Sequence, residues 1–138
     1  MYLRFTSPDA MNLGLRGGKR VHRGIFGPAY AVRRDTTYPR YLRDAIREEL
    51  LWFEDKLAVP SGRHFQVRSK GWWNSQGICW FKSDAKEMIS RAFGLRHLLA
   101  ECDIFVSQLH TDRPGQILYR DEHQIIAKPE AATPTVWR

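Results

Sequence analysis

GICWFKSDAKEMISRAFGLRHLLAECDIFVSQL, residues Gly77 to Leu109, is the stretch on which the fold turns. Its first five residues are short, apolar and rich in strand formers, which marks a buried strand. Ser83 then stands where a helix cap belongs, with Asp84 and Glu87 in the first turn. Ala85, Met88, Ala92, Leu95, Leu99 and Cys102 follow at helical spacing, and Ile104 to Leu109 is strand-like again. Strand, helix and strand joined by short links predict a βαβ unit, its two strands parallel neighbours and its crossover right-handed.

Outward toward the C-terminus, DRPG (112–115) reads as a turn, and ILYR (117–120) and QIIAK (124–128) read as a β-hairpin around Asp121, Glu122 and His123. The tail, 130–138, bears Pro, Thr and Ala and reads as frayed, with Val136 and Trp137 as its residues able to dock. Toward the N-terminus, Pro39 opens a helix whose apolar positions Leu42, Ile46, Leu50, Phe53 and Leu57 form one face, and Pro60, Ser61 and Gly62 close it. His64 to Arg68 alternates like a strand, SKGWWNSQG reads as a loop, Tyr2 to Thr6 as a short strand and Ala29 to Val32 as a brief one.

These elements predict an α+β fold: a single domain over residues 1–138, with two helices packed on a small mixed sheet that contains the βαβ unit and a C-terminal hairpin. Within it, 1–38 is a basic, Gly/Arg-rich segment, 39–129 the α+β core and 130–138 the tail. The two cysteines, Cys79 and Cys102, are too few for a disulfide framework. Arg4 and Asp9 interrupt the region where an export signal would be apolar, and no apolar run reaches the ~18 residues of a membrane span. The expectation is a cytoplasmic protein with no membrane partner.

Charge carries the functional signal. The net charge is +7, and all of it belongs to residues 1–43, where nine basic side chains face two acids. Eight of the nine are arginine, whose planar fork takes a phosphate or carboxylate bidentately. The stretch LGLRGGKRVHRGIFGPAY (13–30) sets Arg16, Lys19, Arg20, His22 and Arg23 among glycines, with Arg33 and Arg34 close behind. It is neither a P-loop nor a dinucleotide fingerprint, because Gly18-Lys19 is followed by arginine and no helix is predicted to open there. The two readings it supports are a polyanion site and a solvated basic loop.

The segments GICWFKSDAKEMISRA and LLAECDIFVSQLHTDRPGQILYRDEHQIIAKP, together with GLRGGKRVHRGIFGPAY, resemble small bacterial proteins of no assigned function. The resemblance implies a free-standing bacterial or mobile-element protein and transfers no catalytic residue.

Three functions remain open from the residues. The leading one is nucleic-acid binding through Arg16, Lys19, Arg20, His22, Arg23, Arg33 and Arg34, with Trp72 and Trp73 as stacking aromatics. The second is a small enzyme acting on a phosphate-bearing substrate, with His110, Asp112, Tyr119 and His123 as candidate acid-base groups and arginines as a clamp. The third is a regulator that binds an acidic protein. The five histidines show no metal-ligand spacing, so neither a metal nor a cofactor is expected.

Overall fold

The computed structural model describes residues 1–8, 13–59, 66–69 and 72–136, with backbone alone at 13–14, 66–69 and 72–75. In chain order the elements are β1 (Tyr2–Ser7), β2 (Leu13–Arg16), β3 (Lys19–Gly24), α1 (Phe26–Arg34), α2 (Arg40–Lys56), β4 (Gln66–Ser69), β5 (Trp72–Ser75), β6 (Ile78–Lys82), α3 (Lys86–Glu101), β7 (Ser107–Thr111), β8 (Gln116–Arg120) and β9 (Gln124–Lys128). Seven strands form one sheet, and β4 and β5 form a separate hairpin.

The sheet is built around β1. One of its edges pairs with β7 from Tyr2↔Thr111 to Thr6↔Ser107. The other edge is shared: β6 takes Tyr2 and Leu3, and β3 takes Thr6 and Ser7. Beyond β6 lie β9 and β8, and beyond β3 lies β2.

The fold departs from the sequence expectation in three respects. Among the described residues there are three helices, not two, and every hydrogen-bonded strand pair is antiparallel, so the sheet is not mixed. The strands flanking α3 do share a direction, since β6 and β7 are both antiparallel to β1. They are not neighbours, because β1 lies between them and gives each an antiparallel partner, the slightly more stable pairing.

The third helix, α1, occupies residues where glycine and proline argue for turns and Ala29 to Val32 for a strand. Gly27 and Pro28 fall in its first turn, where N–H groups have no intrahelical partner and proline's missing donor is not felt. Ala29 and Val32 are buried, and Arg33 and Arg34 sit at the negative end of the helix dipole. Gly17 and Gly18, at φ 58° and 75°, turn β2 into β3 in the two-residue hairpin that a Gly-Gly pair favours.

Helix α2 buries the expected Leu42, Ile46, Leu50 and Phe53, with Pro39 as its N-cap residue. Helix α3 starts later than Ser83 suggests: Ala85 is its N-cap and no side chain caps it. It ends with Asp103 in the left-handed region at φ 61°, where the Ile104 N–H reaches the Leu99 carbonyl at 2.9 Å and the Asp103 N–H that of Ala100 at 3.0 Å. This is the double closure of a Schellman motif. The segment read as a loop around Trp72 and Trp73 contains β5, and the hairpin of β8 and β9 stands where ILYR and QIIAK place it.

Both sheet faces are covered. The three helices pack on Phe5 and Phe81, with Phe53 5.0 Å from Phe26 and 6.3 Å from Phe81 between ring centroids. On the other face Val21, Ile78, Trp80, Leu109, Ile125 and Ala127 form a smaller cluster. Residues 130–136, expected to fray, are pinned instead. Lys19 Nζ donates to the carbonyls of Glu130 at 3.0 Å, Ala131 at 3.2 Å and Thr133, and the Thr135 hydroxyl donates to the Arg20 carbonyl at 2.6 Å. Trp137 lies outside the described residues.

Candidate functional site

The site follows from the way β1 shares one edge between two strands. Arg4 and Phe5 lie between the residues paired to β6 and those paired to β3, so a gap opens over them. On the far side of the gap, the hairpin alternation directs the main-chain groups of Arg20 and His22 away from β2. The tail satisfies part of that edge, the His22 N–H donating to the Thr135 carbonyl at 3.1 Å. The His22 carbonyl is met by a side chain instead of a strand: Arg4 Nη1 donates to it at 2.8 Å.

The gap holds a cavity of about 370 Å³ with β1 as its floor. Its walls come from β3 (Val21 to Gly24), the start of α1 (Ile25 to Gly27) and the segment from Gly77 to Phe81. Three guanidinium groups border it: Arg4, only 9% exposed, and the more accessible Arg16 and Arg23. The Arg23 guanidinium lies over Gly27, whose hypothetical Cβ would sit 3.6 Å from it. Phe26 and Gly27 also border the cavity as the first residues of α1, a helix start with no side-chain cap and no acid in its first turn. An anion there would meet the positive end of the helix dipole.

Charge balance in this cleft is one-sided. Among the described residues, Arg4 has no carboxylate within ion-pair distance and none that borders the cavity is acidic. Burial pulls Arg4 down to about 10, the Cys79 thiol acting in the opposite direction and Arg16 adding to the depression. At neutral pH Arg4 therefore remains a cation in a largely apolar wall. Burial pushes Cys79, also on the wall, up to about 11, so it is a neutral thiol and not an activated nucleophile. Burial, with Arg4 nearby, lowers His22 and keeps its imidazole neutral at pH 7. Trp80 lines the cavity as well, and its indole Nε1 is buried with no hydrogen-bond partner among the described residues.

The residues singled out from the sequence are distributed unevenly around this cleft. Arg16, His22 and Arg23 border it. Lys19 is committed to the tail carbonyls, and Arg33 lies 3.8 Å from Glu54 and over the Tyr30 ring. Arg20 and Arg34 are exposed, without an ion pair among the described residues. The side chains of Trp72 and Trp73 lie outside the described residues.

The four acid-base candidates are not gathered. His110 pairs with Leu3 on β7, while His123 adjoins Gln124, which pairs with Phe81. With β1 and β6 between them, the two are three strand spacings apart, about 14 Å. Asp112 lies 3.2 Å from the N-terminal ammonium, and Tyr119 donates to Asp121 at 2.9 Å. Asp121 organises the last hairpin: burial opposes its ionisation, but hydrogen bonds from the His123 and Gln124 N–H groups, the Gln124 amide and the Tyr119 hydroxyl hold its carboxyl below the usual range.

Arg4, Cys79 and Trp80 are the site residues that sequence reading passed over. The one available signal was Arg4, a cation inside the strand-like YLRFT, where a buried strand should carry none. Among the described residues no group of three His, Cys, Asp or Glu is placed to hold a metal ion, and no helix is long and apolar enough to cross a membrane. No family model, curated protein or solved structure matches this chain.

Proposed function

We propose that the protein is an anion-binding protein whose site is the cleft between β3, β6 and the start of α1. The observation that carries this reading is Arg4: a guanidinium nine-tenths buried, bound by one hydrogen bond to the His22 carbonyl and facing no carboxylate among the described residues. Buried charges are ordinarily paired, so a lone one opening on a cavity fits a counter-ion supplied by a ligand. Arg16, Arg23 and the uncapped start of α1 add to the same field. The test is a thermal-shift titration with matched anionic and neutral probes on the wild type and on Arg4→Met. Stabilisation by anions alone, lost in the variant, is the expected result; equal stabilisation of both proteins would end the reading.

Nucleic-acid binding is the second reading, favoured by the exposed Arg20, Arg23 and Arg34, which have no ion pair among the described residues. A phosphate backbone passing the hairpin would meet Arg20 and Arg23 in a salt-dependent way. Replacing Arg16, Arg20 and Arg23 together should then reduce the log–log salt slope by ~0.7 to 0.9 for each phosphate left unneutralised. Lys19 is left in place because its ammonium holds the tail.

A further inference from the structure

Resting on the anion-binding reading, we infer the class of ligand: a small organic carboxylate with an apolar body, its carboxylate on Arg4 and its body against the cavity wall. Most of that wall is hydrocarbon, with Leu3, Val21, Ile25, Phe26, Ile78 and Trp80 among its residues. An inorganic anion would leave this surface unused, and about 370 Å³ is the scale of a small-molecule pocket.

The charge inside sets the valence. Cys79 and His22 are neutral at pH 7, and Arg16 and Arg23 are the more accessible pair, which leaves Arg4 as the one deeply buried charge. A monoanion neutralises it. A dianionic phosphate would bring a second charge whose cationic partners at the cavity, among the described residues, are the more accessible Arg16 and Arg23 and not a group at the buried wall, where desolvation penalises it. Arg4 has one N–H occupied by the His22 carbonyl, and a guanidinium carries five donors, so a two-donor edge remains for a bidentate carboxylate.

Phenylacetate is the probe, with acetate, phenylacetamide, inorganic phosphate and phenyl phosphate as controls, each titrated calorimetrically into the full chain. Phenylacetate should bind, and acetate, phenylacetamide and both phosphates should be weaker by about tenfold or more. Arg4→Lys, which keeps a charge but loses the fork, should weaken phenylacetate about tenfold. A measurement that needs no variant accompanies it: saturating phenylacetate should slow alkylation of Cys79 in the wild type, since that thiol lines the same cavity.

If phosphate or phenyl phosphate binds through Arg4 as tightly as phenylacetate, the carboxylate class is wrong while the anion site stands. If no anion binds in an Arg4-dependent way, both fall. Phenylacetate binding that ignores Arg4→Lys, or that leaves Cys79 alkylation unchanged, overturns the placement proposed here.

Discussion

The helix-covered face of the sheet and the cleft at its split edge solve the burial problem differently. Under the helices, Phe5, Phe53, Phe81, Leu50, Leu95 and Leu99 meet hydrocarbon with hydrocarbon, and aromatic edges pack on aromatic faces. Around the cleft stand a guanidinium without a carboxylate and an indole N–H without an acceptor among the described residues, and a neutral thiol. The first arrangement lowers the free energy of the folded chain. The second raises it, and a ligand that supplies the missing charge and acceptor reverses the penalty.

Substitutions can set the two regions against each other. The largest effect belongs under the helices: Leu50→Ala and Phe53→Ala, at side chains 0% and 4% exposed, should each lower unfolding free energy by about 2 to 5 kcal/mol in denaturant melts. A loss well under 1 kcal/mol at both would mean that this face is not the stabilising one.

Arg4→Met should act in the opposite direction. Depression of Arg4 to about 10 corresponds to about 3 kcal/mol against folding at neutral pH. Unpairing the His22 carbonyl takes back about 1 to 3 kcal/mol of that relief. The ligand-free variant should therefore match the wild type or exceed it by up to about 2 kcal/mol, while anion binding disappears. A variant several kcal/mol less stable would show Arg4 to be a structural strut.

A smaller effect depends on pH. Because the Cys79 thiol is raised from 9.0 to about 11 on folding, its contribution is intact below pH 9 and is lost as pH rises toward 11. The stability difference between wild type and Cys79→Ala should shrink across that window by about 2 kcal/mol, read from melts at pH 8, 9.5 and 11. A constant difference would place the thiol in water. The smallest effect is expected at Arg47, on the exposed side of α2: Arg47→Ala should stay within about 0.5 kcal/mol of wild type.

The legibility of this fold from sequence divides along the same line. Helix α2 and the hairpin of β8 and β9 are readable because period and turn chemistry are local. Gly17-Gly18 was readable too, as a two-residue hairpin, but the surrounding cations argue for a binding loop and hide it. The insertion of β1 between β6 and β7 leaves no local trace, since strand order is decided by partners about 75 to 110 residues away. The cleft inherits that difficulty. Arg16 and Arg23 stand out by composition, whereas Arg4, Cys79 and Trp80 become neighbours only once the sheet has split.

The placement of β1 also orders events during synthesis. Tyr2 to Ser7 leaves the ribosome long before β6 and β7, the strands that cover most of its two edges, and its nearest partner in the chain, β3, reaches only Thr6 and Ser7. Until residue 111 has been made, a short strand of buried-type side chains waits with the whole of its β7 edge unpaired. Contacts of such long sequence separation close slowly, and an unpaired strand is open to wrong partners in the meantime. Yield in a cell should therefore respond to elongation rate and chaperone supply more than the melting temperature of the finished protein suggests, and a segment that waits longest for its partners is the one that later forms the floor of the cleft.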